Sequence, residues 1–322
     1  MASTLLIALG LVAALVQVRG TPLQGGRVVG SASVVLERAS GGDTPVLTFD
    51  TDRGRVRLLL DTGASSTMVN ANLASRLNLT QEPLPAERFS MVGGGSDCRQ
   101  GQPSKTRLPP MRLQGPAADG GERLEFGTSE AMVMEIGALP DGVDGVLGTP
   151  TLRQLPILIH PGRNRVSLGQ AAVRGKDVPE GPPVLSLPLQ WRHGVPILRV
   201  ATVNGPVSAL ADTGAEGLFL SPELASRLHP LGPRSPVRLV GVCGEQKVHQ
   251  QPFTGLRLQP DPGSWRPVAG ASSGNQEVVR GIITKNSIFR QLEVEAIVGQ
   301  ELFRHRPQRW RLDLDPPRLE LW

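Results

Sequence analysis

The chain has 322 residues, room for two domains of ordinary size. Its 38 Gly and 29 Pro stay below the share that marks a disordered chain and suit a fold of many short strands and turns. The net charge of +5 comes mainly from Arg, with no basic run and no nucleic-acid motif beside it. It therefore reads as a solvated surface, and no nucleic-acid partner is expected.

The first element is an apolar run over residues 4–16, "TLLIALGLVAALV". It is too short to span a bilayer comfortably and reads as the core of an export signal occupying residues 1–20, with cleavage after Gly20. The protein is then periplasmic or secreted. The alternative is an uncleaved anchor that keeps it at a membrane through residues 4–16.

The rest of the chain is written twice. At an offset of 151, "DTGASSTMVNANLASRL" (61–77) lies on "DTGAEGLFLSPELASRL" (212–228) with nine of 17 positions identical. Pro45, Thr51, Gly54 and Val56 fall on Pro196, Thr202, Gly205 and Val207, and "GVLG" (145–148) falls on "AIVG" (296–299). A unit of this length is domain-sized. Residues 21–173 form one lobe, 184–322 the other, and the charged, Pro-rich stretch 174–183 joins them. In each unit a β-hairpin leads into an acidic turn: "PVLTFDTDRGRVRLLLD" in the first, "PILRVATVNGPVSALAD" in the second. A short helix follows each turn, capped by Asn70 or Ser221, with the two leucines of "LASRL" on one face. Val56, Leu58, Leu60, Val207 and Ala209 are expected in the core. The fold class is mainly β, with two pseudo-twofold related lobes and short helices.

An Asp at the end of an apolar strand is costly to bury without partners. Two such residues, Asp61 and Asp212, at equivalent places in a duplicated chain suggest two carboxyl groups sharing one site at the lobe interface. "DTGASST" with "GVLG", and "DTGAEG" with "AIVG", resemble the aspartic proteases over nearly the whole of both lobes. The resemblance implies a bilobal aspartic-protease fold in which Asp61 and Asp212 share a proton and activate a water against a peptide bond. It also implies that Thr62 and Thr213 clasp the two loops together, and that Gly63 and Gly214 let backbone N–H groups approach the carboxylates. Ala64 and Ala215 follow the D-T-G triplets, as in the retropepsin-like branch. With no hydroxyl there to favour the ionised form, the pair should hold its proton tightly and work at less acidic pH than pepsin. The chain has no Tyr for a pepsin-type flap, and only about ten residues separate the leader from the first expected strand. That leaves no room for a pepsin-style inhibitory segment.

Between helix and "RLQ", each lobe carries a Gly-rich hairpin, "FSMVGGGSDCRQGQ" (89–102) and "VRLVGVCGEQKVHQ" (237–250). These are expected to be flaps over a peptide cleft. Their tips are Val92, Gly93, Gly94, Gly95 and Ser96, and Val240, Gly241, Val242, Cys243 and Gly244. The only cysteines, Cys98 and Cys243, fall in these hairpins, so an inter-flap disulfide and two free thiols both remain open. The five His are dispersed without metal-ligand spacing, and neither metal nor cofactor is expected. The expected function is an aspartic endopeptidase acting, as a monomer, on extended peptide or protein segments. The alternative is an inactive peptide-binding protein of the same fold. Glu216, four residues beyond Asp212, is the main departure from symmetry, since Ser65 is its counterpart.

Overall fold

In the computed structural model, the described residues are 8–11, 14–18, 23–39, 42–94, 102–116, 121–137, 139–258, 278–300, 309–314 and 316–322. They are mainly strands, with a few short helices, as expected. Each acidic turn is preceded by the predicted hairpin. Strand Pro45–Thr51 pairs with Gly54–Leu60, and Val195–Thr202 pairs with Gly205–Ala211. Even the closing register repeats: Thr51 stands opposite Gly54 and Thr202 opposite Gly205. In both turns the Thr hydroxyl donates to the glycine carbonyl, at 2.7 Å and 2.6 Å.

Beyond the hairpins the same strand order occurs twice. Gly145–Leu147 runs parallel to Gly54–Leu60 and antiparallel to Met68–Val69, which in turn runs parallel to Ser129–Val133. In the second half, Ala296–Val298 runs parallel to Gly205–Ala211 and antiparallel to Leu218–Leu220, itself parallel to Val279–Ile283. The chain must therefore leave the hairpin, cross the end of a third strand and re-enter the sheet beyond it. The acidic triplet is the crossing. Its backbone is pinned to that third strand: the Asp61 N–H donates to the Leu147 carbonyl at 3.2 Å, and the Asp212 N–H to the Val298 carbonyl at 2.9 Å.

The helices behind the crossings also match. Asn70 Oδ1 accepts from the Leu73 N–H and Ser221 Oγ from the Leu224 N–H, capping Ala71–Arg76 and Pro222–Arg227. Such a cap contributes about 1 kcal/mol. The four leucines 73, 77, 224 and 228 are all buried. The main apolar cluster is continuous through both halves: Leu58, Leu60 and Leu73 belong to it together with Ala209, Leu218 and Leu224.

Two features depart from the simple picture of separate halves. Strands Leu185–Pro188, Trp310–Leu314 and Pro317–Leu321 join the sheet of the first half, through Ile157–His160. Within the stretch 174–183, Asp177 is buried and accepts from Ser33 Oγ at 2.8 Å, with Arg163 and Arg165 beside it. Burial alone would raise the Asp177 pKa; Ser33 and the two guanidinium groups outweigh it and hold the carboxyl below its ordinary value. The N-terminal apolar run contains two strands, Ala8–Leu11 and Ala14–Val18. No helix among the described residues is long and apolar enough to cross a membrane.

Candidate active site

The two crossings meet. Thr62 Oγ1 donates to the Ala211 carbonyl at 2.7 Å and accepts from the Thr213 N–H at 3.1 Å. Thr213 Oγ1 donates to the Leu60 carbonyl at 2.6 Å and accepts from the Thr62 N–H at 3.0 Å. Each hydroxyl thus uses both its donor and acceptor capacity on the opposite half, and both residues are buried. A valine of the same shape would leave these N–H and C=O groups without partners, so the residue type is set by hydrogen bonding and not by β propensity.

This clasp brings the acidic side chains together. Asp61 and Asp212 are fully buried and hydrogen-bond to each other. Asp61 Oδ1 accepts from the Gly63 N–H at 2.7 Å, and Asp212 Oδ1 from the Gly214 N–H at 2.8 Å. The glycines are required by the approach of the other half: a Cβ on Gly63 would lie 2.5 Å from Asp212 Cγ, and one on Gly214 would lie 2.4 Å from Asp61 Cγ. Any side chain there would push the carboxyl groups apart.

Each Oδ2, by contrast, is buried with no hydrogen-bond partner among the described residues. Alanine at 64 and 215 offers no hydroxyl to it. Burial pushes the Asp61 carboxyl up to about 6, against the lowering effect of its hydrogen bonds to Asp212, Gly63 and Ala64. Asp212 is raised well above its ordinary value by burial and then by the charge of Asp61. Two adjacent carboxyl groups in a dry site cannot both ionise, and the proton belongs to the pair.

Several supports were not singled out from sequence. Thr149 and Gln300 occupy the same place, directly after "GVLG" and "AIVG". The Thr149 N–H and Oγ1 donate to the Ala64 carbonyl at 2.9 Å and 3.1 Å. The Gln300 N–H donates to the Ala215 carbonyl at 2.7 Å, and its Nε2 to the Thr213 carbonyl at 2.8 Å. Their shared position in the repeat was the available signal. Glu216 has a partner far away in the sequence. It reaches into the first half, accepting from the Asp43 N–H at 2.7 Å and the Thr44 N–H at 2.8 Å.

The hairpins expected to be flaps cross over as well. In the second, Ser235–Gly241 pairs with Gly244–Thr254, so that Val242 and Cys243 make the turn. In the first, Phe89–Gly93 is a strand, while Gly95, Ser96 and Cys98 lie outside the described residues. Val92 packs against the second-half cluster around Ala215 and Phe219, and Val242 and Cys243 pack in the first-half cluster with Ala64 and Met68. The tips are tied together: the Cys243 N–H donates to the Gly94 carbonyl at 2.8 Å, and Asn286 Nδ2 to the Gly93 carbonyl at 2.8 Å. Val240 and Gly244 flank the turn and are partly buried; Gly241 is buried. Cys243 is disulfide-bonded, which removes the free-thiol alternative for that residue. Among the described residues no group of three or more His, Cys, Asp or Glu is placed to hold a metal ion.

A family model described as aspartyl protease matches residues 46–151, the stretch that contains Asp61. Among solved structures, the chain is similar to conglutin gamma, a basic 7S globulin from lupine seeds, at 11% identity and a TM-score of 0.48, covering 90% of this chain and 94% of that one. It is also similar to the basic 7S globulin from soybean, at 13% identity and a TM-score of 0.49, covering 92% and 95%. No curated protein gives a significant match.

Proposed function

We propose that this chain is an aspartic endopeptidase of the retropepsin-like kind, its two lobes (21–173 and 184–322) duplicated and joined through 174–183 in one monomeric, exported chain. The observation that carries this reading is the buried, mutually bonded pair Asp61–Asp212, clasped across the halves by Thr62 and Thr213. The family match over residues 46–151 supports it. In this reading the two unpartnered Oδ2 atoms face the reacting water. The ionised member takes a proton from that water as it attacks the scissile carbonyl. The protonated member donates to the carbonyl oxygen, and the amine leaves with a proton as the tetrahedral intermediate collapses. Alanine at 64 and 215 and the absence of Tyr favour the retropepsin-like branch.

The pH dependence follows from the raised values. Turnover needs one ionised carboxyl. It should fall as pH drops through about 6, where the pair takes up its second proton, and fall again at higher pH as the shared proton is lost. A rate maximum near pepsin's strongly acidic range would contradict this. The test of activity is cleavage of a mixed peptide library by wild type, Asp61→Asn and Asp212→Asn. The endopeptidase reading expects turnover in wild type and loss in both variants with folding intact. Binding of peptides without turnover in wild type would select the inactive peptide-binding alternative.

A further inference from the structure

The two acidic loops are supported unequally from behind. Gln300 and Thr149 stand at the same place in the repeat, and the backbone N–H of each donates to the alanine that follows the triplet, Gln300 to the Ala215 carbonyl at 2.7 Å and Thr149 to the Ala64 carbonyl at 2.9 Å. Their side chains then part. The Thr149 hydroxyl returns to the same Ala64 carbonyl at 3.1 Å. The Gln300 amide is longer and reaches further back along its loop, where Nε2 donates to the Thr213 carbonyl at 2.8 Å. Among the described residues the Thr62 carbonyl, its counterpart, receives no such bond.

The carbonyl that Gln300 engages belongs to the peptide unit whose N–H, on Gly214, donates to Asp212 Oδ1 at 2.8 Å. A peptide is one conjugated group. A donor on its oxygen draws charge onto that oxygen, raises the double-bond character of C–N and leaves the N–H a stronger donor. Side-chain amide, peptide and carboxyl thus form a chain of two hydrogen bonds, with each dipole turning its positive end toward Asp212. Every member is shielded from water: Gln300 is 6% exposed, Thr213 2% and Asp212 0%. In so dry a place hydrogen bonds polarise one another instead of being screened. A bond to the ionised form favours that form, and the Gly214 N–H works against the burial that raises the Asp212 carboxyl.

We infer that Gln300 is a positioning residue that acts on the carboxyl pair through the Thr213–Gly214 peptide, strengthening the hydrogen bond to Asp212 and so easing ionisation of the pair. A side chain that only filled space behind the loop, or only satisfied a buried carbonyl, would hold the loop in place without setting where the pair titrates. The relay sets the pH range in which one carboxyl is ionised, and it does so from the second half alone. Its effect on turnover rests on the endopeptidase reading; its effect on the carboxyl titration does not.

The test is Gln300→Met in the full chain, which keeps the length of the side chain and the backbone bond to Ala215 but removes the Nε2 donor. Carbon-13 titration of the aspartate carboxyls should show the lower step of the pair, about 6 in wild type, displaced upward by roughly 0.2–0.6 of a pH unit, the share of a charge-assisted bond that such polarisation supplies. The acid limb of kcat/KM should move with it, lowering turnover at about pH 5 by roughly two- to fourfold. A step that stays in place or moves down in a folded variant, with the amide shifts of hairpin 45–60 as the check of folding, would overturn the inference and leave the endopeptidase reading untouched. A displaced step with no peptide turnover in either protein would keep the relay and remove the endopeptidase reading instead. Should Gln300→Met fail to fold, the wild type decides. The scalar coupling from the Gly214 nitrogen across its hydrogen bond to the Asp212 carboxyl carbon should exceed the one from Gly63 to Asp61, although the latter bond is the shorter, 2.7 Å against 2.8 Å. Equal couplings, or a larger one at Asp61, would overturn the inference.

Discussion

The two acidic crossings are alike where they touch each other and unlike where they do not. From Asp61 to Ala64 and from Asp212 to Ala215 the residues are identical, and the threonine clasp and the Gly N–H bonds of one loop have their counterparts in the other. One residue further on, the symmetry ends. Ser65 in the first loop corresponds to Glu216 in the second, which crosses to bond the backbone of Asp43 and Thr44. A pair of carboxyl groups that shares one proton constrains both halves equally, because a shift on either side changes the same separation. The flanking positions carry no such demand and are free to differ. The symmetric part is the chemistry, and the asymmetric part is a brace between the halves.

This comparison can be broken at its strongest point first. Asp61→Asn and Asp212→Asn should each reduce peptide turnover by about 10²–10⁴-fold or more, and by similar amounts, measured as kcat/KM on one cleaved peptide. A large loss in one variant only would mean that the pair does not act jointly. The same substitutions should make the fold more stable near neutral pH, by on the order of 2–3 kcal/mol. The sign follows from the raised pKa values. Between about 4 and about 6 the folded pair keeps protons that the unfolded chain has lost, so its contribution to stability is present at low pH and is lost as pH rises through that window. Denaturant melts of wild type and variants across that range provide the check. Thr62→Val and Thr213→Val should each cost about 1–3 kcal/mol, equally, and show strong coupling in the double variant, since both remove parts of one four-bond clasp. The smallest effect belongs to the asymmetric brace: Glu216→Gln should cost about 1 kcal/mol and leave the pH profile of turnover in place. A profile displaced by that change would put Glu216 in electrical contact with the pair.

Much of the symmetric part is legible in the sequence because its signals are local. Hairpin alternation, the caps Asn70 and Ser221, and the D-T-G triplets each sit within a few residues of the structure they specify. The repeat then says which of them correspond. Glu216 announces an asymmetry, yet its target forty residues into the chain does not follow from spacing. The same holds for Trp310–Leu314 and Pro317–Leu321, which return to the first-half sheet by non-local pairing with no local signature. The N-terminal run shows the limit most plainly. Its apolar composition suits an export leader, and composition alone does not reveal that Ser235–Gly241 and Phe89–Gly93 pair with it as strands.

The central claim is that Asp61 and Asp212 hold one proton between them, and carbon-13 titration of the aspartate side-chain carboxyls tests it directly, with the Asn variants used to assign the pair. The account predicts that the pair retains a proton well above the ordinary aspartate range, with one step near 6 and a second at higher pH. Two independent titrations near 3.8, leaving both carboxyls ionised at pH 5, would contradict it.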